Sequence, residues 1–281
     1  MAACDHRAWP DAPCDPAEVL YLYCLARRAA LSVIDGLGVD DHHALSLVPF
    51  EDVVAVVSAV SAGEFCGPSA EARMKDLSWV GFRVCRHHEV VERALRHSPI
   101  VPMPFAVLFS CRERLNAWLE GHRNTIAGAL ERFANHQEWA VKGTMDRGKT
   151  EACWLRANPR PHGEAPAGSL GARYLRERGA RAARAQALDT WLQHVCLGTV
   201  TSLLEDAADF REREVTSAPS EAPGVAIVNW AFLVSQTALD RFVARIASIN
   251  AMHAEGGLTL SLSGPWPPYS FAPSLEPQAP E

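Results

Sequence analysis

The sequence predicts an α+β protein with two domains, each built from strands and amphipathic helices. Its 281 residues are many for a single hydrophobic core. A composition of 48% hydrophobic and 21% charged residues is typical of globular proteins. Strand-like and helix-like patterns alternate along both halves, and residues 147–168 between them are rich in Gly, Pro, Lys and Arg. That composition indicates a linker, so we place the first domain at 19–146 and the second at 169–263.

The first domain begins after residues 1–18, whose Ala, Pro and Asp content without periodicity predicts a flexible arm. Strands are expected at 19–26, 44–48, 53–58, 100–105 and 136–145. VVAVVS (53–58) is apolar throughout and should be a central strand covered on both faces. A helix is expected over 71–98, because apolar residues recur every three or four positions and should form one buried stripe: Met74, Leu77, Val80, Val84, His88, Val91 and Leu95. A second helix is expected over 111–134. Helices on one face of a sheet form an α+β sandwich.

The second domain should contain a long helix over 169–208, the strand VAIVNWAFLV (225–234), a helix over 237–253 and the strand LTLSLS (258–263). A Pro/aromatic tail, residues 264–281, follows it. Three prolines in GPWPPYSF (264–271) fix φ and remove backbone donors, so an extended, unpaired segment is expected. We expect Trp266 to pack inward, with Tyr269 and Phe271 nearer the surface and available to partners.

Composition and charge argue against several classes of function. A net charge of −6 gives no electrostatic footprint for nucleic acid or for an anionic lipid membrane. The longest apolar stretch, 225–234, is too short to cross a bilayer. None of the eight cysteines forms a CxxC pair, so they are expected to be buried thiols in the reducing cytoplasm. GxGxxG, GxxxxGK[ST] and GxSxG are all absent, and no cofactor is expected.

One motif leaves an enzymatic alternative open. HHEVVE (87–92) is close to the zinc-binding HExxH, although Glu92 stands where the second histidine would be. A metal-dependent or small-molecule enzyme could use His87, His88 and Glu92. The structural interpretation, which we favour, is that His88 packs in the apolar stripe and shares a hydrogen bond.

A basic run lies near the start of the long helix and contains Arg173, Arg176, Arg178, Arg181 and Arg184, with only Glu177 among them. Cations at this end oppose the helix dipole. A solvated face is the simplest interpretation. The alternatives are a contact with an acidic partner, or with the acidic stretch 205–214 of the same chain.

Several stretches, in order, resemble the gas vesicle protein F/L family (GvpF/GvpL). In the first half they are YLYCLA, VVAVVS, HHEVVE followed by SPIVPMPFAVLF, and EWAVKG; in the second half they are ARYLRER, NWAFLV and GPWPPYSF. The resemblance covers about residues 19–271, and GPWPPYSF is its most specific part. This chain departs from the family's usual Gly at Cys24, and from its usual Arg-Phe-Gly-Thr at Pro104-Phe105-Ala106-Val107.

The resemblance implies a two-domain cytoplasmic protein with a ferredoxin-like N-terminal domain and no catalytic activity. Such a protein would help to assemble the gas vesicle by binding its small hydrophobic shell protein and other accessory proteins. Retention on the vesicle as a minor component is a further implication. We expect the partner-binding residues to be Trp266, Tyr269, Phe271, Arg173, Arg176, Arg181 and Arg184.

Overall fold

The computed structural model describes residues 17–158, 170–215 and 224–275. These residues fall into two compact units. The first contains the chain up to Gln137 together with the segment from Trp266 onward, and the second contains Glu138–Pro265. Most of the expected N-terminal arm, residues 159–168 of the expected linker and the last six residues of the tail lie outside the described ranges.

The first unit contains a four-stranded sheet with the order β2-β3-β1-β4, in which every neighbouring pair is antiparallel. Its strands are β1 (Glu18–Arg27), β2 (Leu45–Phe50), β3 (Val53–Ser61) and β4 (Ile100–Phe109). Its helices are α1 (Ala62–Phe65), α2 (Gly67–Arg73), α3 (Leu77–Leu95) and α4 (Arg112–Ala134). The strand order is that of a ferredoxin-like sandwich, although turns replace the helix that would connect β1 to β2. The expected α+β class is confirmed.

Strands β1 and β3 form the middle of this sheet and carry its core. Both are buried over seven consecutive positions, which agrees with the continuous apolar runs in their sequences. The β3 run at 53–58 therefore lies in a central strand, as its sequence predicted. Buried side chains of α3 pack on the same cluster, namely Val90, Val91 and Ala94.

The second unit contains a sheet with the order β6-β7-β5-β8. Its strands are β5 (His136–Met145), β6 (Asp209–Glu212), β7 (Val225–Ser235) and β8 (Leu258–Trp266), and its helices are α5 (Arg147–Ala157), α6 (Leu170–Leu204) and α7 (Leu239–His253). Trp230, Phe232, Phe242 and Ile246 are buried in its core. Asp206, just after α6, accepts hydrogen bonds from Arg241 (3.0 Å) and Arg245 (2.8 Å), and these bonds hold the pKa of its carboxyl below the usual value.

The structure differs from the expected domain limits in two places. Strand β5, expected to complete the first domain, pairs within the second sheet, because alternation indicates a strand but not its sheet. Helix α5 occupies the start of the expected linker. Asp146 caps it by accepting the backbone N–H of Lys149 at 3.1 Å, and the hydroxyl of Thr150 lies 2.7 Å from the carbonyl of Gly256. These bonds give a Gly- and Lys-containing segment a fixed helical structure.

Candidate partner-binding site

The N-terminal half of α3 is fixed to α1 by a charged and aromatic cluster. Asp76 caps α3 by accepting the backbone N–H groups of Ser78 (2.9 Å) and Trp79 (3.3 Å). Glu64 accepts the indole N–H of Trp79 at 3.2 Å and pairs with Arg83. The Arg83 guanidinium lies 4.0 Å from the centre of a Trp79 ring, which is a close cation–π contact. This half of α3 is therefore held in place by side chains of its own unit.

Farther along α3, His87 is buried and is hydrogen-bonded through both ring nitrogens. Nε2 lies 3.1 Å from the carbonyl oxygen of Met103, so it must donate. Nδ1 lies 2.9 Å from the Tyr21 hydroxyl and accepts its proton, while the same hydroxyl accepts the backbone N–H of Ala106 at 3.0 Å. Burial lowers the pKa of His87 to about 4, so the imidazole is neutral near pH 7.

This geometry changes the expected role of HHEVVE. His87, not His88, is the packed histidine, because adjacent residues on a helix point about 100° apart and only His87 faces the sheet. Both His87 nitrogens are occupied, so that ring has no lone pair left for a metal ion. Within the described ranges, no group of three or more His, Cys, Asp and Glu side chains could hold a metal.

The bonds of His87 depend on an irregularity in β4. Leu22 pairs with Val107 but Cys24 pairs with Pro102, so residues 103–106 project from the ladder as a bulge. Within it, Ala106 has φ = 66°, a left-handed conformation. This is the turn at which the sequence departs from the usual Arg-Phe-Gly-Thr run.

The C-terminal segment leaves β8 and turns beside α3. Strand β8 continues through Gly264 and Pro265 to Trp266, so the expectation of an unpaired segment is wrong for these three residues. The chain then turns, because the backbone N–H of Tyr269 bonds to the Pro267 carbonyl at 2.7 Å and that of Phe271 to the Pro268 carbonyl at 3.2 Å.

This turn decides which aromatic ring is buried. Phe271 is 6% exposed, whereas Trp266 and Tyr269 are each 37% exposed. The expected burial was therefore wrong for Trp266 and for Phe271, and the expected exposure of Tyr269 is confirmed, whereas its contact with partners stays a prediction.

His88 lies against both exposed aromatic rings. Its ring centre is 5.9 Å from that of Trp266 and 6.1 Å from that of Tyr269, with interplanar angles of 36° and 30°. Its Nε2 lies 3.4 Å from Glu92 Oε1, one turn along the helix. These contacts hold Trp266 and Tyr269 in one orientation while leaving part of each ring at the surface.

The apolar stripe of α3 is only partly covered. Val91 is buried, but Leu77 is 86% exposed and Val84 is 41% exposed. The periodicity predicted the shared face correctly. The expected burial along its whole length was wrong, because Leu77 is almost fully exposed and Val80 and Val84 are only partly covered. Leu77, Val84 and His88 lie within an arc of about 40° on α3. We call the surface formed by Leu77, Val84, His88, Trp266 and Tyr269 the α3–tail surface.

The predicted arginines belong to the second unit. Arg176 and Arg181 are exposed on α6 and Arg184 is partly exposed; Arg173 lies in the same helix, but its side chain is not among those described. Three carboxylates of the acidic stretch 205–214 are bonded to other arginines, through Glu205–Arg245 (2.9 Å), Asp206–Arg241 (3.0 Å) and Asp209–Arg211 (2.7 Å).

Sequence reasoning did not assign Leu77, Val84 or His88 to a binding surface. The available signal was the stripe itself, whose regular spacing continues into HHEVVE. Spacing identifies residues on one helix face, but it does not indicate how far a neighbouring layer extends over that face.

Comparisons with known proteins agree with this fold. Residues 19–273 match the family model described as "Gas vesicle synthesis protein GvpL/GvpF". Gas vesicle protein L of Streptomyces sp. (strain CB03234) is 30% identical over 260 residues, covering 90% of this chain and 92% of that protein. None of the helices in the described ranges combines the length and apolar character that a membrane span requires.

Two solved structures have the same fold. The crystal structure of GvpF from Anabaena sp. PCC7120 matches with a TM-score of 0.67 at 16% identity, over 94% of this chain and 100% of that one. That of GvpF from Microcystis aeruginosa matches with a TM-score of 0.60 at 15% identity, over 91% and 99%. Because the family model matches nearly the whole sequence, the chain belongs to the GvpL/GvpF family of gas vesicle proteins.

Proposed function

We propose that this protein is a non-catalytic assembly factor that acts in the cytoplasm and on the growing gas vesicle. It binds the small hydrophobic shell protein through the α3–tail surface and brings it to other accessory proteins. Membership of the GvpL/GvpF family supports the gas vesicle role. The observation that carries the proposed binding site is the solvent exposure of Leu77, at 86%, on the same helix face as Val84 and His88.

The physical argument begins with the unfavourable hydration of this face. Covering a fully exposed leucine or valine side chain contributes about 1.5–3 kcal/mol. Leu77 is 86% exposed and Val84 is 41% exposed, so a partner that covers both gains about 2–4 kcal/mol. Contiguous exposed apolar residues on a folded protein mark interaction sites. A hydrophobic shell subunit has the complementary chemistry and would itself be protected from premature association while bound.

Trp266 and Tyr269 should also contribute to the affinity for the shell protein. Tryptophan and tyrosine are frequent among the residues that dominate binding energy. Here the tilted ring contacts with His88 and the turn at Pro267–Phe271 order both rings before the partner arrives. Preorganised side chains lose less conformational entropy on binding.

Vesicle formation in cells tests this function. Cells that carry the other gas vesicle genes are complemented with the wild-type chain, the Trp266→Ala/Tyr269→Ala variant, or Phe82→Ala. Phe82 is the matched control, because it is 50% exposed on α3 but lies about 140° around the helix from Leu77. We expect vesicles with the wild type and Phe82→Ala and a strong reduction with the double variant. Wild-type yield from a stably folded double variant would refute the proposed site.

A further inference from the structure

We propose that the first half of α6 is a second interaction surface, which binds the acidic face of a partner protein. The residues that carry it are Arg181 and Arg184, with Arg176 on the same face; we call these three residues the arginine stripe. This inference goes beyond the proposed function, because it concerns the second unit. The proposed contact with the partner is electrostatic, whereas that of the α3–tail surface is apolar.

This half of α6 is not packed into the core of its unit. Every residue from Tyr174 to Ala183 is exposed, including Tyr174 at 61% and Leu175 at 67%, whereas Leu203 near the other end is buried. Alanine, leucine and arginine are strong helix formers, which accounts for a helix here without a buried face. Core packing therefore does not explain the arginines of this segment.

Two arginines of the stripe, Arg181 and Arg184, are not neutralised within the described part of the chain. No described carboxylate forms an ion pair with Arg178, Arg181 or Arg184, and Arg184 Nε donates to the Ala180 carbonyl at 3.0 Å. In the same unit, Arg241 and Arg245 both bond to Asp206. Arg181 and Arg184 lie three positions apart on one face of α6, where like charges repel. A partner that places negative charge opposite them relieves this repulsion.

The geometry fits a row of carboxylates. At 3.6 residues per turn, Arg176, Ala180, Arg181 and Arg184 lie within an arc of about 140°, and the stripe is about 12 Å long. Carboxylates one turn apart on a partner helix would match this spacing. All basic residues from 170 to 190 are arginine, whose planar guanidinium binds carboxylates through two parallel hydrogen bonds. The net charge of −6 disfavours nucleic acid, so we commit to an acidic protein surface.

Site-specific photo-crosslinking tests this inference in cells that make the gas vesicle proteins. A photoreactive phenylalanine replaces Ala180, in the middle of the stripe, or Ala182, which faces the opposite side of α6; both are exposed. We expect Ala180 to give one dominant protein adduct, with the cross-linked peptide rich in Asp and Glu, and Ala182 to give much less. Equal adducts at both positions, no adduct, or an adduct with nucleic acid would overturn the proposal.

Charge variants separate the electrostatic contact from mere proximity. In the Ala180 crosslinker background, Arg181→Glu/Arg184→Glu should lower the adduct yield about tenfold, and Arg181→Gln/Arg184→Gln should lower it less. Neither pair should lower the helix content or the melting temperature, because these side chains support no core and the changes remove like-charge repulsion. An unchanged yield in the folded Glu variant would overturn the proposal. If the Glu variant fails to fold, the Gln pair decides the same question.

Discussion

Tyr21 donates its hydroxyl proton to Nδ1 of His87 across 2.9 Å and joins strand β1 to helix α3. The same oxygen accepts the backbone N–H of Ala106 and so also holds the bulge of β4. One phenol therefore positions three elements of the first unit. Because His88 follows directly on α3, this bond also sets the orientation of the α3–tail surface.

Tyr21→Phe measures how much the Tyr21 hydroxyl contributes to the stability of the fold. The change leaves a buried ring nitrogen and a part-buried backbone N–H without a partner, and we expect the free energy of unfolding to fall by about 2 kcal/mol. Urea denaturation measures it. Tyr269→Phe is the matched control, because Tyr269 is 37% exposed and its change should stay within about 0.5 kcal/mol. Equal effects of the two variants would show that the Tyr21 network contributes nothing specific.

His87 should make the protein sensitive to acid. Its folded pKa of about 4 lies below the unfolded value near 6.5, because burial disfavours the charged ring. The stability that depends on the neutral ring is present above pH 6.5 and is lost as pH falls toward 4. His87→Gln cannot titrate, so the wild type should lose about 3 kcal/mol relative to this variant between pH 7 and 4. Parallel pH profiles of the two proteins would contradict the assignment.

His43 should have the opposite effect on the pH dependence of stability, because its contribution is lost as pH rises. Its Nδ1 lies 2.5 Å from Asp40 Oδ2 and its Nε2 lies 3.3 Å from Glu18 Oε1, and the bond to Asp40 raises the pKa of His43. Its contribution is complete below the unfolded pKa near 6.5 and is lost as pH rises through the higher folded pKa. Thermal melts between pH 6 and 9 should show the wild type losing its advantage over His43→Gln. If the stability of the wild type relative to His43→Gln increased with pH, the result would contradict this prediction.

Ala106→Gly tests the backbone of the β4 bulge. A left-handed conformation costs a non-glycine residue about 1–2 kcal/mol, and glycine loses about 0.5–1 kcal/mol in added unfolded-state entropy. Since Ala106 has φ = 66°, we expect a net stabilisation of about 0.5–1 kcal/mol, seen as a higher melting temperature. Ala59→Gly in the regular part of β3 is the control and should destabilise. A lower melting temperature for Ala106→Gly would mean that its methyl group makes packing contacts that outweigh the strain.

Strong periodicity in the sequence predicted several elements well. VAIVNWAFLV became β7 and the apolar stripe after it became α7, because a continuous apolar run and a helical repeat each leave little choice of structure. The long helix α6 was also expected at nearly its observed position. These elements are determined by local sequence.

The candidate site depended on information that is not local. Adjacent residues differ by about 100° around α3, and the apolar spacing placed His88 rather than His87 on the buried face. The burial of Phe271 rather than Trp266 follows from two backbone bonds in a proline turn. The exposure of Leu77 depends on where the covering layer ends. None of these can be read from composition or spacing.

The most direct test of our account is binding of the gas vesicle shell protein to the α3–tail surface. The tagged chain is co-expressed with the shell protein, and the amount of shell protein that copurifies is measured for three proteins of equal thermal stability. These are the wild type, Leu77→Asp/Val84→Asp, and the control Phe82→Asp on another face of α3. We predict that the wild type and Phe82→Asp retain the shell protein, and that the double variant loses at least about nine-tenths of it, as expected when charge replaces buried apolar contacts. Wild-type recovery with the folded double variant would contradict the account.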